Sequence, residues 1–177
     1  MKLYDAPRCP FCGRVRIALA EKAIPYEPVE IDLGNKPEWL YELNPLGKVP
    51  VLQNGFALPE SAVILEYLDE RHPERPLLPT DTGDRARARL HVFRFDALLG
   101  DAWYAFRRSG ERGDVEARLA EVPVGESLFV DVAYAPWLFR ARELYGLELG
   151  PRVEAWLERA LERPAFAAEL DLVRGLA

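Results

Sequence analysis

Strand-like patterning is confined to the first third of the chain, and helical spacing fills the rest. Lys2, Leu3 and Tyr4 read as a short strand. Val15, Ala18, Leu19 and Ala23 recur at helical intervals and predict a helix over 13–24, stopped by Pro25. Tyr26 to Ile31 alternates apolar and polar side chains, which predicts a second strand. A short helical stretch is expected over 36–43. Val49-Pro50-Val51-Leu52 is apolar and β-branched, and Asn54-Gly55 predicts a tight hairpin joining 51–53 to 56–58. Val63, Ile64, Tyr67 and Leu68 share one face of a helix opened by Glu60-Ser61 and running to about Arg71. The character then changes. Pro73, Pro76, Pro79 and Gly83 read as a linker over 73–83. Beyond it every pattern is helical: 84–107 with Leu90, Phe93, Ala97 and Leu98 inward, then 114–121, 131–145, 153–161 and 164–176. Pro136 is expected either to kink the helix over 131–145 or to sit in its first turn.

The order β-α-β-α-β-β-α is the thioredoxin-like arrangement, a parallel strand pair continued by an antiparallel hairpin. The expected architecture is therefore an α/β thioredoxin-like domain over 1–78 followed by an all-helical domain over 79–177. At 177 residues and 49% hydrophobic, the chain can bury a real core. No run of about 18 apolar residues occurs, so no membrane span and no membrane partner are expected. The start lacks a signal-peptide pattern, and the cytoplasm is the expected compartment. A net charge of −6 argues against nucleic acid as a partner. Arg85, Arg87, Arg89 and Arg94 have acidic neighbours in sequence and read as a solvated helix face.

Chemistry enters with the two cysteines of the chain, Cys9-Pro10-Phe11-Cys12. They lie between the first strand and the first helix. A thiol at a helix N-terminus meets unpaired N–H groups and the positive end of the helix dipole, and both favour the nucleophilic thiolate. Zinc needs about four ligands, and only His72 and His91 could help, far off in sequence, so no metal is expected. Cys9 is the expected nucleophile and Cys12, one turn in, the residue placed to attack a mixed disulfide on Cys9. Arg8, Arg14 and Arg16 add positive charge nearby. Val49-Pro50 offers a backbone edge to which a peptide-like thiol could add as a strand. Glu60-Ser61 reads first as a helix cap, and also as a seat for a carboxylate on free N–H groups with Glu60 facing an ammonium.

Taken together these residues resemble the cytosolic glutathione transferase family, and within it the cysteine-type branch of omega, dehydroascorbate reductase and two-domain glutaredoxin-like proteins. The resemblance rests on four segments: Cys9-Pro10-Phe11-Cys12, Asn35-Lys36-Pro37-Glu38-Trp39, Asn44 through Leu52, and Glu60 through Glu70. It covers nearly all of 1–79. It implies that Cys9 forms the mixed disulfide with glutathione, that Lys36 reaches the glycine carboxylate, and that Val49 pairs with the cysteinyl backbone. It further implies a cis Pro50, Glu60 and Ser61 on the γ-glutamyl end, and Phe11 beside a second-substrate pocket. Phe93, Trp103 and Tyr104 are candidates for the same pocket, with core packing as their alternative.

The second half matches more loosely. Gly125 to Pro136 resembles the family's capping segment, but Leu128 stands where a hydroxyl is usual, and Ser127 could replace it with a one-residue shift. The stretch between Arg108 and Gly125 is short for the family, which leaves monomer and homodimer both open. The implied activity is glutathione-dependent thiol transfer or disulfide reduction, with glutathione as co-substrate and no metal. The partner would be a small electrophile, a disulfide or a glutathionylated protein. Conjugation ranks below reduction. The rival class is a non-catalytic interaction protein on the same fold, of the stringent-starvation type.

Overall fold

The computed structural model describes all residues, 1–177. Four strands form one mixed sheet in the order β2-β1-β3-β4. Strand β1 (Lys2–Asp5) runs parallel to β2 (Glu27–Glu30) and antiparallel to β3 (Val51–Gln53), and β3 pairs antiparallel with β4 (Ala57–Pro59). Helix α1 (Pro10–Glu21) makes the parallel crossover, α2 (Leu40–Leu43) leads towards β3, and α3 (Ser61–Arg71) follows the hairpin. The remainder is helical: α4 (Thr82–Phe93), a π-helical turn over Asp96–Gly100, α5 (Asp101–Ser109), α6 (Gly113–Glu121), α7 (Leu128–Tyr145), α8 (Pro151–Ala160) and α9 (Pro164–Arg174). This is the thioredoxin-like sheet with its helical partner that the hydrophobic pattern predicts.

Several boundaries differ from the pattern, each for a local reason. Helix α1 begins at Pro10 rather than Gly13, because proline fills the first helical position, where an N–H has no intrahelical partner anyway. The hairpin loop holds three residues, since Gln53 pairs with Ala57. Asn54 turns its side-chain amide onto the Tyr67 hydroxyl, 2.8 Å away, and Gly55 takes φ +83°. The long helix expected over 84–107 is divided by the π-helical turn. Its inward face on α4 is Ala88 and Val92, which leaves Leu90 and Phe93 exposed. Helix α7 starts at Leu128, not Asp131. The Ser127 hydroxyl caps it by accepting from Val130 N at 3.4 Å, while Asp131 Oδ1 accepts from Gly125 N at 2.6 Å. The shifted hydroxyl thus does replace the missing one. Pro136 lies mid-helix, not in the first turn.

The linker is pinned. Asp69 accepts from the backbone N–H groups of Leu77 and Leu78, and Lys22, buried beside it at 2.8 Å, donates to the carbonyls of His72 and Arg75. Leu77 and Leu78 are buried in a hydrophobic core that runs without interruption from Leu3, Val15 and Ile64 to Phe129, Trp137 and Val173.

Helices α1 and α7 cross closely at Gly13 and Pro136. A Cβ at Gly13 would lie 2.9 Å from Pro136 Cβ and 2.5 Å from Glu169 Oε1. Gly13→Ala should therefore destabilise the fold by about 1–3 kcal/mol, because the crossing must open to admit one methyl group. Urea unfolding measures this, and a wild-type midpoint with an unchanged slope would contradict it.

Candidate active site

Cys9 is the N-cap residue of α1, with extended backbone at φ −83° and ψ 117°. Its carbonyl accepts from Gly13 N at 3.2 Å, and its sulfur lies 3.8 Å from the Val49 carbonyl oxygen. The Cys12 thiol and the backbone N–H groups of Cys12 and Phe11, at the start of α1, favour negative charge on that sulfur. These donors, together with the Arg140 guanidinium, outweigh partial burial and bring the Cys9 thiol down to about 7. Cys12 goes the other way. It is fully buried, and burial, reinforced by the charge on Cys9, pushes its thiol well up. One cysteine is poised to ionise, and its neighbour keeps its proton.

The arginines of α1 add positive charge near the thiol, as the sequence suggests, but their guanidinium groups are engaged elsewhere. Arg16 is buried on Asp5 and in a bidentate pair with Glu169, at 2.7 and 2.8 Å. Arg14 is buried against the faces of Trp137, Phe95 and Phe11, at 4.5, 4.6 and 5.1 Å from the ring centroids. It donates to the Ala133 carbonyl and to Ser61 Oγ, and desolvation lowers it to about 10, so it stays charged at neutral pH. The cation that acts on Cys9 from across the domain crossing is Arg140. It reaches back from α7 to donate to the carbonyls of Pro7 (2.6 Å) and Arg8 (3.3 Å), just before Cys9.

Two cavities flank this centre. The first is small, about 100 Å³, with Val49, Pro50, Glu60 and Ser61 on its walls beside Phe11, Asn44 and Lys48. The Val49–Pro50 bond is cis. Glu60 takes φ +70°, a left-handed region that costs a non-glycine residue about 1–3 kcal/mol. It occupies the N-cap of α3, yet no side chain caps that helix. The capping role expected of Glu60-Ser61 is therefore absent, and the N–H groups at the start of α3 have no side-chain acceptor.

The second cavity, about 420 Å³, contains Cys9 itself. Phe11, Trp103 and Tyr104 line it beside Cys9, together with Leu33, Leu144 and Tyr145. Phe93 does not. It is 87% exposed and borders a separate surface groove with Ala62, Val63, Glu66, Arg89, Val92 and Phe129, because its position on α4 turns it away from the core. Lys36 is half-buried and lies outside the lining of both cavities; Lys48 supplies the cation of the first.

Arg107, Arg140 and Tyr145 of the second cavity, and Lys48 and Asn44 of the first, receive no role from sequence reasoning about the site, whereas Arg8 lies beside Cys9 as the sequence suggests. For Arg140 a signal exists. It is the lone charge in the run Val132 to Ala141, and a charge buried in such a run needs a partner. For Arg107 and Tyr145 none does: Arg107 sits on an ordinary amphipathic helix, and Tyr145 is the last residue of the largely buried α7.

Comparison with known proteins agrees with the fold. Residues 3–76 match the family model for the glutathione S-transferase N-terminal domain. Pyrimidodiazepine synthase of Drosophila melanogaster is 36% identical, over 95% of this chain and 79% of that protein. Glutathione transferase Omega 1C from Trametes versicolor superposes with a TM-score of 0.80 at 28% identity, covering 99% of this chain and 93% of that one. Rice GST1, solved in complex with glutathione, gives 0.78 at 31% identity over 99% and 95% of the two chains. With sequence likeness sustained across both halves and a cysteine at the head of α1, the chain belongs to the glutathione S-transferase family, on its cysteine-type, omega-like side.

Proposed function

We propose that the chain catalyses glutathione-dependent thiol–disulfide exchange with Cys9 as the nucleophile. The observation that carries this reading is the ionisable Cys9 sulfur between the two cavities, with its proton-bearing neighbour Cys12 buried behind it. The first cavity would seat the γ-glutamyl end of glutathione, with its carboxylate on the uncapped start of α3 and Ser61 and its ammonium on Glu60. The Val49 backbone would pair with the cysteinyl residue. Lys36 remains the residue assigned by resemblance to the glycine carboxylate, and Lys48 is the alternative cation at that cavity.

In the proposed cycle the Cys9 thiolate attacks the glutathionyl sulfur of a mixed disulfide. The Cys9–glutathione S–S bond forms, the substrate S–S bond breaks, and the substrate thiolate leaves and takes a proton from solvent. A second glutathione, as thiolate, then attacks the glutathionyl sulfur on Cys9. Glutathione disulfide departs and the Cys9 thiolate is restored. The substrate sulfur is reduced to a thiol and one glutathione thiol is oxidised, its sulfur joining the transferred glutathionyl sulfur in glutathione disulfide, so electrons balance. The raised thiol of Cys12 makes it a poor attacking group, which favours glutathione over Cys12 in the second step.

Reaction of Cys9 with iodoacetamide as a function of pH tests the reading. The rate should rise through a midpoint at about 7, since the reactive thiolate is the minor form below that pH and the major form above it. Turnover of the cysteine–glutathione mixed disulfide should follow the same curve on its rising limb. A midpoint at or above that of an ordinary thiol, about 8.5, would overturn it.

A further inference from the structure

The cavity of about 420 Å³ beside Cys9 has a composition that the thiol chemistry does not require. Three guanidinium groups line it, from Arg8 before α1, Arg107 on α5 and Arg140 on α7, and no carboxylate does. Arg140 is offset by Glu169 at 3.2 Å. The other two are not neutralised. Arg8 donates to the Leu176 carbonyl at 3.2 Å, and Arg107 lies over the Tyr145 ring at 4.7 Å. Arg8 also borders a neighbouring surface cavity that holds Glu30 and Asp32, and neither acid pairs with it. Two uncompensated cations therefore converge on one cavity in a chain that carries six more acidic than basic charges.

The rest of the wall is aromatic. Phe11, Trp103, Tyr104 and Tyr145 contribute rings, and Trp103 meets Tyr145 edge to face at 5.6 Å, which fixes both. Burial and the charges of Cys9 and Asp96 hold the proton on Tyr104, so its hydroxyl is available as a donor. Ring faces accept a flat ligand, guanidinium forks bind carboxylate-like oxygens, and the volume falls within the range of about 300–1,000 Å³ common for small-molecule sites.

We propose that this cavity selects second substrates that join a flat ring to an anionic carboxylate or sulfonate, with Arg8 and Arg107 as the specificity-determining residues. This rests on the thiol-transfer reading only for the word substrate; the ligand preference stands on the cavity itself. An anion anchored by Arg8 and Arg107 would lay its ring along Trp103 and Tyr145, with Cys9 in the same cavity.

Calorimetric titration of the full chain with naphthalene-2-carboxylate and with naphthalene-2-carboxamide tests it. The two probes share shape and differ in charge. At low salt the carboxylate should bind about tenfold more tightly, and in the Arg8→Gln/Arg107→Gln double variant the two affinities should converge. Both arginines are exposed, so the variant should keep its fold, which circular dichroism checks. Equal affinities in the wild type, or a preference that survives in the double variant, would overturn the inference.

A kinetic arm separates this claim from the one beneath it. The mixed disulfides of glutathione with 4-mercaptobenzoic acid and with 4-mercaptobenzamide are compared as substrates. Carboxylate preference in binding, with neither disulfide turned over, sustains the cavity and overturns thiol transfer. Turnover of both at equal kcat/KM, with equal probe affinities, does the reverse.

Discussion

Cys9→Ser loses thiol transfer by a factor on the order of 10³ or more while unfolding at the wild-type urea midpoint. A serine hydroxyl is not ionised near neutral pH, so the mixed disulfide cannot form, and the loss of a nucleophile is felt almost wholly in kcat. The half-buried Cys9 side chain makes no capping hydrogen bond to α1, so little stability is at stake. The contrast at Cys12 is more informative. Its thiol is the largest influence holding Cys9 at about 7. Cys12→Ser keeps a donor at that place and should retain most activity. Cys12→Ala removes the donor, so the Cys9 thiol rises, less thiolate is present at pH 7, and the rate falls several-fold there but recovers above pH 9. Full activity in Cys9→Ser with loss in Cys12→Ser would exchange the two roles.

The second large effect is on stability. Glu169 is 3% exposed on α9 and holds Arg16 of α1 in a bidentate pair and Arg140 of α7 at 3.2 Å. Arg16 also meets Asp5 of β1. Sheet, first helix and two C-terminal helices are thus joined by one buried ionic network. Removing Glu169 leaves the buried Arg140 guanidinium without a counter-charge and Arg16 with Asp5 alone. Glu169→Ala should lower unfolding free energy by about 3–5 kcal/mol, read by urea titration. Glu169→Gln, which keeps an acceptor, should cost less. A loss under about 1 kcal/mol for Glu169→Ala would show that the network is not a joint between the halves.

That network also explains which parts of the molecule the sequence reveals. The sheet and its helices follow from alternation and helical spacing, because each element buries one face near its neighbours in the chain. Cys9, Val49, Pro50, Glu60 and Ser61 are legible for the same reason. They lie at turns between those elements, and their spacing is that of a known family. The helical half is legible as helices but not as a wall. Phe93 and Trp103 look alike in the sequence, yet the π-helical turn between them resets the helical phase. Trp103 faces Cys9 and Phe93 faces solvent. Arg140 reaches Pro7 across 133 residues of chain. Periodicity records which face of a helix is apolar, and it is silent on what that face will meet.

The central claim is that Cys9 carries the glutathione adduct. Incubation of the chain with glutathione disulfide, followed by mass measurement of the tryptic peptide from Cys9 to Arg14, tests this directly, because fragmentation separates the two cysteines. A single glutathionyl increment on Cys9, removed by added glutathione, is the expected result. An unmodified peptide, or an increment confined to Cys12, would contradict the account.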